Sequence, residues 1–81
     1  MQVPDCVQNY FDEIAAEIEG VGNYRRYYNT KCTNGIELFS CGDFQVVLES
    51  HYAYEELYLS IWYEPQDFSQ RQQLIERTFT H

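Results

Sequence analysis

The sequence predicts an α+β domain: an N-terminal helix, a three- to four-stranded antiparallel meander and a C-terminal helix, in the order αβββ(β)α. Apolar residues recur at helical spacing up to Val21 and alternate with period two from Tyr24 onward. Turn dipeptides at Asn34-Gly35 and Gly42-Asp43 divide the alternating stretch into short strands. With 81 residues there is room for one domain, since a chain of this size buries only roughly 60% of the surface it exposes when unfolded. At 44% hydrophobic and 17% aromatic, the composition is that of a folded chain rather than a disordered one.

In the first element Val7, Tyr10, Phe11, Ile14, Ile18 and Val21 follow the i, i+3, i+4, i+7 pattern, while Asp5, Asp12, Glu13, Glu17 and Glu19 lie mostly off that face. Pro4 suits the first turn, and Gly20 and Gly22 bracket the end, where a left-handed residue commonly stops a helix. Asp5 complements the positive end of the helix dipole. Glu17 and Glu19 stand at the wrong end for it and gain nothing locally.

Three turns set the register of the meander. A type I′ turn at Asn34-Gly35, where both central residues need positive φ, pairs Cys32 with Glu37 and Thr30 with Phe39. A turn at Gly42-Asp43 pairs Cys41 with Phe44, Phe39 with Val46 and Glu37 with Leu48. A connection near Ala53-Tyr54 pairs Ser50 with Leu57, Leu48 with Leu59, Val46 with Ile61 and Phe44 with Tyr63. The three registers agree on one inward face: Cys32, Phe39, Cys41, Phe44, Val46, Leu48, Leu57, Leu59, Ile61 and Tyr63. Glu37 is misplaced there and marks an edge or a bulge. The amphipathic helix supplies the cover this face needs.

Pro65 ends the last strand of the meander, and Asp67 or Ser69 can cap a closing helix on which Phe68, Leu74, Ile75 and Phe79 dock. The competing reading is a strand over 74–79, in which Ile75, Arg77 and Phe79 alternate with Leu74, Glu76 and Thr78.

Thirteen acidic and five basic residues give a net charge of -8, which excludes the electrostatic footprint of a nucleic-acid-binding protein. No Lys or Arg occurs between Lys31 and Arg71, where seven acids stand. Tyr24, Tyr27 and Tyr28 interleave with Arg25 and Arg26, and Arg–Tyr stacking within the sheet is the reading preferred to RNA stacking. No apolar run exceeds three residues, far short of the roughly 20 a membrane helix requires, and the N-terminus lacks the pattern of a secretory signal. Cys6, Cys32 and Cys41 are odd in number and share no CxxC spacing, so reduced thiols in a cytoplasmic protein are expected, with a Cys32–Cys41 bond as the alternative. Zinc would need four ligands gathered from Cys6, Cys32, Cys41, His51 and His81.

No GxSxG, HExxH, P-loop or GxGxxG motif is present, so neither a cofactor nor an enzymatic activity is expected. His51 falls opposite Glu56 and reads as a surface His–Glu pair. A small-molecule or catalytic site would have to be built around it. Adjacent Glu55 and Glu56 point to opposite faces of a strand and cannot converge.

The second sheet face is too apolar for ordinary solvent surface. On the same register it carries Ile36, Leu38, Val47, Tyr58 and Trp62, interleaved with Ser40, Gln45, Glu49, His51 and Ser60. Trp62 and Tyr58 are its expected anchors, with Val47, Leu38, Ile36, Glu49 and Glu56 around them. The alternative is that the C-terminal segment folds over this face, so that Phe68 or Phe79 covers Trp62 and the face becomes a second core. The expected function is therefore non-enzymatic protein binding by a small acidic inhibitor or accessory protein. Its partner would present a basic surface, as a nucleic-acid-handling enzyme does. Size and charge are those of phage and mobile-element inhibitors. A homodimer that covers the apolar face with a second copy is the alternative.

Overall fold

The structure is a computed structural model that describes residues 2–20, 22–24, 27, 35–51 and 56–80, His51 through its backbone alone. One helix, α1 (Asp5–Glu19), precedes four strands: β1 (Ile36–Cys41), β2 (Phe44–His51), β3 (Glu56–Tyr63) and β4 (Gln72–Thr80). The strands form a single antiparallel sheet in the order β1-β2-β3-β4. The α+β class and the antiparallel meander are as the sequence predicts.

Helix α1 starts after Pro4, whose carbonyl accepts from the amides of Val7 and Gln8. It buries Val7, Phe11, Ala15 and Ile18, the stripe its periodicity defines, and packs on β1, β2 and β3. Gly20, which closes it, is extended at φ -68°, so the stop is not a left-handed residue there; Gly22 has φ +81°. Glu17 and Glu19, without a local role, find tertiary ones. Tyr27 donates to Glu17 at 2.6 Å, and Arg77 on β4 to Glu19 at 2.6 Å.

Under the helix lie Val46, Leu48, Leu57, Leu59 and Ile61, all fully buried, with Phe79 from β4. Every β2–β3 pair expected from sequence is present: Ser50↔Leu57, Leu48↔Leu59, Val46↔Ile61 and Phe44↔Tyr63. So are Cys41↔Phe44 and Phe39↔Val46, across a turn that Gly42 makes at φ +63°, where a side chain would be strained. The register then jumps between Glu37 and Phe39. Glu37 pairs with Val47, not Leu48, and is exposed. The bulge, foreshadowed by an acid on the greasy face of the expected pairing, removes a carboxylate from the core.

Three expectations need correction or lie outside the described residues. The C-terminal helix is absent: Asp67 does cap, accepting from the amide of Ser69, but it caps only a single turn of 3-10 helix at Phe68–Gln70. The chain then ends in strand β4, because β3 has a second row of backbone groups to satisfy and Gln72–Thr80 satisfies it along eight paired positions. Ile75 and Phe79 face inward opposite Ile61 and Leu57, and a second bulge leaves Leu74 without a paired partner on β3. Strand periodicity from Tyr24 is not observed, since Asn23, Tyr24 and Tyr27 have helical backbone and both tyrosines pack against the core. The strand expected before Asn34-Gly35, with Cys32, lies outside the described residues.

The cysteines also depart from the reduced thiols expected. Cys6 in the first turn of α1 is disulfide-bonded to Cys41 at the end of β1, their Cα atoms 6.9 Å apart. A separation of 35 residues carries no sequence signature. The pairing follows from where the helix crosses the sheet. Among the described residues, no helix is long and apolar enough to cross a membrane.

Candidate protein-binding face

Because side chains alternate along a strand, the residues that do not meet α1 gather on the opposite side of the sheet. Pairing places Glu37 opposite Val47, Val47 opposite Ser60, Glu49 opposite Tyr58, and Ser60 opposite Glu76. Trp62 sits between Gln45 and Gln73. Ser60 is the pivot of this face and is only 1% exposed. Its hydroxyl donates to the Val47 carbonyl at 3.4 Å and accepts the indole Nε1–H of Trp62 at 3.1 Å. The indole is thereby held back along β3, and its polar edge is satisfied within the protein.

The ring face of Trp62 is capped by Arg71, whose guanidinium lies 3.7 Å from the ring centroid. Arg71 Nε donates to Glu64 Oε2 at 3.0 Å, and its guanidinium is 5.6 Å from the Phe68 ring. Trp62, Glu64, Phe68 and Arg71 thus form one corner, in which a cation is stacked on an aromatic and held by a carboxylate. Phe68, at 65% exposed, is the exposed large hydrophobic residue among those described. At the other end of β3, Tyr58 donates to Glu56 Oε1 at 2.7 Å. The backbone pairs Glu56 with His51, as expected.

Five of the seven residues expected on this face are together there: Trp62, Tyr58, Val47, Glu49 and Glu56. Ile36 and Leu38 are not. The β1 bulge turns Ile36 to the helix side, opposite Leu48, and Leu38 packs against the core with its carbonyl accepting from Tyr10 at 3.4 Å. Val47 and Glu49 are partly overlaid by the backbone at Gly35, where a Cβ would come within 3.3 Å of Val47 Cγ1 and 3.1 Å of Glu49 Cγ. Only a glycine fits that approach at φ +87°. Of the other residues at the site, the sequence put Ser60 on this face as an interleaved polar residue and Phe68 only in the alternative that covers Trp62, and it did not place Glu64 and Arg71 there. Phe68 and Arg71 belong to the segment read as helix, and the expected β2–β3 register already sets Ser60 opposite Val47, whereas the hydrogen bond from the Trp62 indole to Ser60 is seen only in the structure.

The electrostatics of the face are one-sided. Glu37, Glu49, Glu56 and Glu76 contribute one carboxylate from each strand, and Glu64 stands at its rim. Arg71, the cation on this side among the described residues, is already paired. On the helix side, a cleft of about 430 Å³ lies between the end of α1 and β4, lined by Ile18, Glu19, Gly20, Tyr24, Arg77, Thr78, Phe79 and Thr80. Its two charged groups, Glu19 and Arg77, are bonded to one another, and His51 is not part of its lining. Among the described residues, no three His, Cys, Asp or Glu side chains are grouped to hold a metal ion. No family model, curated protein or solved structure matches the chain.

Proposed function

We propose that the chain is a non-enzymatic protein-binding module, a small acidic inhibitor or accessory protein that presents the helix-free face of its sheet to a basic partner. The observation that carries this reading is the collection of Glu37, Glu49, Glu56 and Glu76 on the face that also holds Trp62 and Tyr58. Aromatic anchors on a face that also carries carboxylates match the anatomy of an interface whose apolar centre gives affinity and whose charges steer approach. A partner with arginines or lysines around an apolar recess fits it, as the phosphate-binding groove of a nucleic-acid-handling enzyme would.

The test is affinity capture from the source cell, followed by binding kinetics on the captured protein. Steering predicts an association rate that falls by about 100-fold as salt is raised from low to high ionic strength. Trp62→Ala should weaken binding by about 30-fold, mainly through faster dissociation. Association that ignores salt, or a captured partner with an acidic contact surface, would sink the proposal. A stable dimer in sedimentation that Trp62→Ala converts to monomer would favour the homodimeric alternative.

A further inference from the structure

The Cys6–Cys41 bond ties the first turn of α1 to the end of β1, an edge strand of the sheet among the described residues. At its other end α1 is tied to the opposite edge strand, β4, through Glu19 and Arg77. The helix therefore lies across the sheet with one fastening to each edge. The two fastenings differ in kind. The ion pair is half-exposed and weak, whereas the disulfide is covalent and breaks only by exchange with another thiol. Among the described residues, no side chain caps the N-terminus of α1. Beyond the disulfide, that end is held by Val7, Phe11 and the Tyr10 ring stacked on Phe39 at 4.6 Å.

We infer that Cys6–Cys41 is a thiol-exchange site that works as a clasp on the N-terminal half of α1, with Cys6 as the residue that takes up a small thiol of the glutathione class. The two cysteines are unequally exposed: Cys6 is an exposed residue, while Cys41 is half-buried against the core. An incoming thiolate reaches Cys6 Sγ, forms a mixed disulfide there, and expels the Cys41 sulfur with the electron pair of the broken S–S bond; that sulfur takes a proton from water. A second small thiolate then attacks the mixed disulfide, leaving Cys6 as a thiol and releasing the small molecule as its own disulfide. Two electrons pass from two small thiols to the protein, and the reverse sequence closes the clasp. Opening frees the helix end that shields β1, while Arg77–Glu19 and the buried Ile18 keep the far end docked. The inference is independent of the helix-free face.

The experiment uses the full chain, air-oxidised and then equilibrated with glutathione redox mixtures, with peptide mapping and native-state amide exchange as readouts. Cys6 and Cys41 should resist alkylation when oxidised, and the glutathione adduct should appear on Cys6. After reduction, amides of residues 7–11 should exchange at least about tenfold faster than those of β2 and β3, by an opening with little denaturant dependence. In the oxidised protein the two sets should exchange within a few-fold of one another. Three results would overturn it: oxidised protein in which Cys6 and Cys41 both alkylate, an adduct found on Cys41, or equal acceleration of α1 and β2–β3. Equal acceleration marks a staple that acts only on the unfolded chain. Repeating the mapping with Cys32→Ser removes disulfide reshuffling through the third thiol, and wild type alone decides the outcome if that variant does not fold.

Discussion

Two serines on neighbouring strands have opposite fates, and both are informative. Ser60 is buried on the helix-free face and makes two hydrogen bonds, one of which fixes Trp62. Ser60→Ala should cost about 1–2 kcal/mol in urea unfolding and shift the Trp62 emission to the red as the indole N–H turns to water. An unchanged spectrum would show that the hydroxyl does not orient the ring. Ser50 is buried on the helix side, and its hydroxyl has no hydrogen-bond partner among the described residues. Removing an unsatisfied polar atom relieves its desolvation cost, so Ser50→Ala should raise stability by about 1 kcal/mol. A loss of that size would mean the hydroxyl is paired. Glu37 shows how far one residue could be read in advance. Its charge on an apolar face signalled an edge or a bulge, and the structure has the bulge. Which neighbours it would carry to the other face, Ile36 and Leu38, was not legible, because a bulge moves one register by one residue without leaving a further mark in the sequence.

At the level of elements, α1 and the β2–β3 pair were readable because each repeats its own signal many times over. The last element was not, since Leu74, Ile75 and Phe79 satisfy a helical face and a strand alternation almost equally well. The free edge of β3 decides between them, and that edge exists only once the sheet has formed. Phe79 is 7% exposed opposite Leu57, so Phe79→Ala should cost about 3–5 kcal/mol and release β4 first in amide exchange. Protection that persists in β4 while stability falls would separate the strand from its anchor. Arg77→Ala breaks an ion pair whose two side chains are 45% and 52% exposed, and should change stability by no more than about 1 kcal/mol. A larger loss would mean that the helix depends on its polar fastening more than on Ile18.

For the molecule as a whole, the net charge of -8 becomes specific once the sheet assigns it to sides. Among the described residues, four acids fall on the face opposite the helix, together with the tryptophan. Replacing Glu37, Glu49, Glu56 and Glu76 jointly by Gln should therefore slow association with a basic partner to near the rate of an uncharged surface, with little effect on dissociation. If dissociation changes instead, those carboxylates are buried contacts rather than steering charges. By itself the sequence determined the α+β class, the helix stripe from Val7 to Ile18, the β2–β3 register and the acidic balance, because periodicity and charge are local sums over neighbouring residues. Only the tertiary structure decided that the chain ends in a strand, that Arg71 stacks on Trp62, and that Cys6 meets Cys41. Each of these depends on which distant segment lies across from a given residue, and chain spacing does not encode that.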